Sequence, residues 1–101
     1  MSTLVVDSES IRAHSVSVTE DCLQVDLSDG RILSVPLAWF PRLQHGNAKE
    51  RGTWRLIGGG EGIHWPDLDE DISIAGLVAG HPSGESAKSL EKWRQSRVSA
   101  A

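Results

Sequence analysis

From His14 onward, apolar and polar residues alternate. Val16 and Val18 are spaced by Ser15, Ser17 and Thr19, the period of a strand with one face buried. Glu20-Asp21 interrupts the pattern. Leu23, Val25 and Leu27 then alternate with Gln24 and Asp26 and predict a second strand. Asp29-Gly30 reads as a hairpin turn, because glycine takes a positive φ without steric cost. Ile32, Leu33 and Val35 form a third strand that ends at Pro36. Together these segments predict a three-stranded antiparallel meander.

Beyond Pro36 the apolar residues stop alternating. Leu37-Ala38-Trp39-Phe40 predicts a short helical segment running to about Leu43, limited by Pro41 and closed near Gly46. Ala48 to Arg51 reads as another helical turn, ended by Gly52. Trp54, Leu56 and Ile57 suggest a strand, and Gly58-Gly59-Gly60 ends it. Ile63-His64-Trp65 is a short extended piece before Pro66, which disfavours helix at the residue preceding it. Asp67 to Asp71 is an acidic turn. Ile72 and Ile74 flank Ser73 in a last short strand, and Ala75 to Ala79 is a helical turn capped by Gly80. After the linker His81-Pro82-Ser83-Gly84, Ser86 is placed to cap a C-terminal helix of roughly 11 residues. Its apolar stripe, Ala87, Leu90 and Trp93, is narrow, and a helix this short needs a docking surface. That surface is either the chain's own body or a partner.

The fold class expected is therefore α+β: a small antiparallel sheet built from the N-terminal meander plus short later strands, with short helices and a C-terminal helix. Residues 1–12, which include Leu4-Val5-Val6, read as a loosely held segment, 13–80 as the core domain, and 81–101 as linker and helix. A chain of 101 residues and 10.9 kDa fits one domain. No apolar run approaches the roughly 20 residues that cross a bilayer, and no signal peptide is read at the N-terminus. The one cysteine, Cys22, excludes an internal disulfide and fits a reducing, cytoplasmic setting.

The net charge of −4 argues against a general nucleic-acid coat, yet it hides bands. Residues 1–30 carry six acids against Arg12. Residues 31–60 carry Arg31, Arg42, Lys49, Arg51 and Arg55 against Glu50. Residues 61–85 hold six acids and no base, and the last segment holds Lys88, Lys92, Arg94 and Arg97 against Glu91. Such bands either neutralise one another in the fold or mark faces for different partners.

Candidate chemistry is sparse. The glycine triplet is not followed by Gly-Lys-Ser/Thr and reads as a hairpin loop rather than a phosphate loop. His64 with Asp67, Asp69 and Asp71 has the donor types of a metal or acid–base cluster. A structural histidine beside a solvated acidic turn is the favoured reading. No serine occupies a nucleophile elbow, and Cys22 opens a strand as a small hydrophobe. No catalytic residue, cofactor or metal is assigned. Four tryptophans, Trp39, Trp54, Trp65 and Trp93, stand in a chain without tyrosine. Tryptophans of this number are expected to build the core, with Trp39, Trp54 and Trp65 largely buried between sheet and helices; the rival reading, an exposed aromatic anchor for a partner, falls on Trp93.

The order of several motifs resembles one family. These are Asp29-Gly30-Arg31, Val35 to Leu43, Glu50-Arg51 to Trp54, and Gly60-Glu61-Gly62-Ile63-His64-Trp65-Pro66 with Leu68-Asp69-Glu70-Asp71-Ile72-Ser73. The chain is similar over about residues 13–80 to the prokaryotic domain of unknown function 2442, and the tail from Gly84 to Trp93 looks like many members. The resemblance implies a small α+β domain. It also implies a toxin–antitoxin-like pairing with a small protein encoded nearby, this chain being the antitoxin side. Some members carry a helix-turn-helix region after the domain; one helix after Gly84 is too little for that unit. The resemblance supplies no catalytic residues.

The leading functional expectation is a non-enzymatic interaction module, antitoxin-like or regulatory, using Leu90, Trp93, Arg94 and Arg97, with a homodimer as a further partner class. The alternative is a nucleic-acid-binding regulator that uses Arg42, Lys49, Arg51 and Arg55, whose binding would fall steeply with salt. A third class is an enzyme or metal site at His64 and the acidic turn. No membrane partner is expected.

Overall fold

The alternation at Leu23, Val25 and Leu27 puts all three on one face of a strand, and the structure buries all three. This structure is a computed structural model that describes residues 11–99. Strands β1 (Ala13–Val18), β2 (Cys22–Leu27) and β3 (Ile32–Pro36) form the expected antiparallel meander, in the order β1-β2-β3. Val35 joins the buried face, with Val16, Val18 and Leu33 packed against it. Ser17, Gln24 and Ser34 line the opposite, exposed face. Gly30 turns the hairpin at φ +94°, and the Asp29 carboxylate accepts from the Arg31 N–H (3.1 Å).

The helical stretch after β3 is divided differently from the sequence reading. A 3-10 turn spans Leu37–Trp39, and a separate helix α1 spans Pro41–His45. Pro41 therefore opens a helix rather than limiting one. Its fixed φ suits the first helical position, where no N–H is needed. At Gly46 an added Cβ would lie 2.9 Å from a Leu68 methyl, so the glycine lets the acidic turn pack against the end of α1. Helix α2 (Ala48–Gly52) starts with a capping box. The Asn47 side chain accepts from the Glu50 N–H (2.8 Å), and Glu50 Oε1 accepts from the Asn47 N–H (2.9 Å).

The later strands do not extend the first sheet; they build a second three-stranded antiparallel sheet. It contains β4 (Arg55–Ile57), β5 (Gly62–Trp65) and β6 (Glu70–Ser73), with β5 central. The glycine triplet is the β4–β5 turn, with positive φ at all three residues. The Ala13 N–H donates to the Gly60 carbonyl (2.9 Å), and a Cβ on Gly60 would sit 2.8 Å from the Ala13 carbonyl oxygen. This close approach joins the two sheets. Strand β6 begins at Glu70, earlier than Ile72, because Glu70 and Asp71 pair with Trp65 and His64. Cross-strand pairing outweighs the local acidic composition there. Ser73 then caps α3 (Ile74–Val78), accepting from the Gly76 N–H (3.2 Å).

Helix α4 spans Ala87–Ser99 and is capped as expected, the Ser89 N–H donating to Ser86 Oγ (3.1 Å). The linker is tied down, with the Ser83 N–H donating to the Trp39 carbonyl (2.9 Å). The tryptophans rank differently from expectation. Trp65 is fully buried and Trp93 is buried at 9 % exposure, while Trp39 and Trp54 are half-buried at the edge of the core. Trp93 is covered because α4 folds back on the body. The expectation for residues 1–12 falls mostly outside the described residues; Ile11, at its inner end, is buried. Among the described residues no helix is long and apolar enough to cross a membrane.

Candidate functional site

The residues of the two candidate binding sets meet in one place. Trp93 of α4 lies under two guanidinium groups, Arg42 at 5.1 Å and Arg97 at 4.7 Å from the ring centroid. Arg42, at the start of α1, donates from Nε and Nη2 to the Glu85 carboxylate at 2.6–3.0 Å. Its Nη1 donates to the Asp69 carbonyl (2.9 Å). Arg97 donates from Nη2 to both oxygens of Glu50 (2.9 and 3.0 Å), and from Nη1 to the Asp67 carbonyl (3.3 Å). The clasp thus ties α4 and its linker to α1, to α2 and to the acidic turn. Glu85 holds the Arg42 guanidinium above its ordinary pKa, and Arg42 holds the Glu85 carboxyl below its own. Arg97 likewise pulls the Glu50 carboxyl down.

Of the two docking surfaces left open for α4, the structure shows the chain's own body. Leu90, Trp93 and Arg97 face the chain's own body, and only Arg94 of that set is exposed, beside Glu91 at 3.8 Å. The basic 31–60 band is split in the same way. Arg42 is committed to Glu85. Arg51 donates to the Leu43 and Gln44 carbonyls at 2.9 and 2.8 Å. Lys49 and Arg55 are exposed.

The His64 group is dispersed. His64 Nδ1 pairs with the Asp71 carboxylate across β5 and β6, on the outer face of the second sheet. Asp69 turns to Arg42, and the Asp67 backbone meets Arg97. The described residues hold no group of three or more metal-type ligands. A cleft of about 500 Å³ opens beside Ile57, Gly62 and Ser73. Its polar groups are already engaged: Glu61 with Arg12 (3.2 Å), and the Ser73 hydroxyl with α3. Cys22 lies on the exposed side of the first sheet, and hydrogen bonds from Ser34 and Thr19 lower its thiol pKa.

The outer edge of β3 is a feature the sequence reading did not single out. The Leu27 N–H donates to the Arg31 carbonyl (2.8 Å), and the Leu37 N–H to the Asp21 carbonyl (2.9 Å). An antiparallel ladder alternates between such bonded pairs. Leu33 and Val35 therefore turn their N–H and C=O groups toward β2, and Ile32 and Ser34 turn theirs outward. Pro36 turns out only a carbonyl. Among the described residues no backbone hydrogen bond reaches these outward groups. Ile32 is 64 % exposed, the most exposed large apolar side chain described. One signal was present in the sequence: Ile32 is out of phase with Leu33 and Val35 and must face away from the core they share.

A family model described as protein of unknown function (DUF2442) matches residues 13–83. The crystal structure of a protein of unknown function from Rhodospirillum rubrum is 27 % identical. It superposes with a TM-score of 0.65, covering 75 % of this chain and 94 % of that one. The solution structure of an uncharacterised protein from Chromobacterium violaceum is 22 % identical, with a TM-score of 0.62 over 80 % of this chain and 74 % of that one. At that identity the second likeness concerns the fold alone. No curated protein matches the chain.

Proposed function

The chain belongs to the DUF2442 family, and we propose that it is a non-enzymatic protein-interaction module, an antitoxin-like or regulatory partner of a small protein. The observation that supports this reading is the open β3 edge. Outward N–H and C=O groups at Ile32 and Ser34 offer main-chain hydrogen bonds to an added strand, and the exposed Ile32 side chain offers an apolar contact beside them. Edges of this kind are usually blunted by charge or proline; here Pro36 blunts only the far end. The partner therefore contributes an extended segment with an apolar residue opposite Ile32.

The test is co-expression of the tagged chain with the product of the adjacent gene, followed by co-purification. A stoichiometric complex is expected for the wild type. Ile32→Lys should weaken it by about tenfold or more while leaving the melting temperature almost unchanged, because surface substitutions rarely alter stability by more than about 0.5 kcal/mol. An equally tight complex with Ile32→Lys, or a nucleic acid co-purifying in place of a protein, would contradict the reading.

A further inference from the structure

We propose that the outer face of the second sheet holds a binding site for an apolar α-amino acid. Two neighbouring rows of residues build it. Strand register aligns Arg55, His64 and Asp71 across β4, β5 and β6, and aligns Ile57, Gly62 and Ser73 in the next row. Residues two apart on a strand point to the same side, so both rows share one face and lie about 7 Å apart. The cleft of about 500 Å³ opens on the second row, a size ordinary for small-molecule sites. Ile11, Ile57 and Ala75 give it apolar walls. Gly62 leaves the middle of the row without a side chain; a Cβ there would lie 3.1 Å from the Ile57 side chain and 3.3 Å from the Ile72 carbonyl oxygen.

The first row is charged at both ends. Arg55 is exposed and, among the described residues, makes no hydrogen bond or ion pair. At the other end the Asp71 carboxylate is 67 % exposed and bonded to His64 Nδ1. An ionised carboxylate only accepts, so the neutral His64 ring carries its proton on Nδ1 and keeps Nε2 as an acceptor. Among the described residues the His64 ring has no other hydrogen bond. Glu61, at the cleft, is already paired with Arg12 (3.2 Å). The face therefore offers a cation for a carboxylate at Arg55, acceptors for an ammonium at His64 and Asp71, and an apolar cleft beside them. An α-amino acid with an aliphatic side chain carries all three matching groups on one carbon. A simple carboxylate leaves the His64–Asp71 end unmatched, and a simple amine leaves Arg55 unmatched. The site uses no part of the β3 edge.

Titration of the full chain at pH 7 with L-leucine, followed by amide NMR shifts, tests the site. 4-Methylpentanoate, which lacks the amine, and 3-methylbutylamine, which lacks the carboxylate, serve as probes of the same arm. Leucine should saturate below about 10 mM, with shifts centred on Ile57, Gly62, His64 and Ala75. Each analogue should bind about tenfold more weakly or worse, because each loses a charge-assisted contact. Arg55→Gln should bind leucine no better than wild type binds the amine, at an unchanged melting temperature. The inference is overturned if leucine does not saturate or if its shifts lie away from this face. Equal binding of leucine and both analogues, which would reduce the site to an apolar cleft, also overturns it. So does wild-type affinity for leucine in Arg55→Gln. The analogue series is read on the wild type and decides the matter even if the variant fails to fold.

Discussion

Replacing Trp65 with alanine is expected to lower stability by about 3–5 kcal/mol. The side chain is fully buried on the central strand of the second sheet, among Ile63, Leu68 and Ile72 in the core. Its indole Nε1 also donates to the Arg51 carbonyl (3.0 Å), which ties α2 to the sheet. Alanine would open a cavity and leave that carbonyl without its indole donor. A loss of this size is a large part of the roughly 5–15 kcal/mol that small domains possess. Trp39→Ala and Trp54→Ala should each cost clearly less, because those rings are only half-buried. Denaturant midpoints of the three variants check the ranking. Equal losses at all three positions would show that the core is not centred on Trp65.

Arg42→Ala is expected to cost about 2–4 kcal/mol, somewhat below the cost of breaking a fully buried pair. Arg42 and Glu85 side chains are 17 % and 10 % exposed, so water screens the pair only slightly. The substitution strands the Glu85 carboxylate, removes one cation from the Trp93 ring and releases the Asp69 carbonyl. Arg42→Lys should recover only part of the loss, since an ammonium cannot make the paired contacts of the guanidinium fork. Thermal melts of both variants decide the point. A wild-type melting temperature for Arg42→Ala would mean that the clasp contributes little to holding α4.

Local features were the legible part of the fold. The first meander followed from period-two alternation and the Asp29-Gly30 turn. The start of α4 followed from Ser86. Boundaries were lost where pairing across the chain outweighed local composition, as at Glu70 and Asp71. The clasp left no local trace. Arg42 is 43 residues from Glu85, and Arg97 is 47 from Glu50. Nothing in the neighbourhood of Arg42 or Trp93 says that the two belong together. The basic band and the candidate anchor were therefore read as separate surfaces, although the fold joins them in one ion-paired seam. The β3 edge was partly legible, through the phase of Ile32, but strand order decides whether an out-of-phase residue lies on an open edge.

The most direct measurement of the interaction reading is residue-resolved amide exchange of the chain, free and bound to the product of the adjacent gene. In the free chain, the Ile32 and Ser34 amides should exchange quickly, while Leu33 and Val35, bonded to β2, exchange slowly. In the complex, Ile32 and Ser34 should become protected and Leu33 and Val35 should change little. This alternation is the signature of a strand added to β3. Unchanged Ile32 and Ser34, with new protection confined to the Lys88–Lys92 face of α4 or to Lys49 and Arg55, would contradict it.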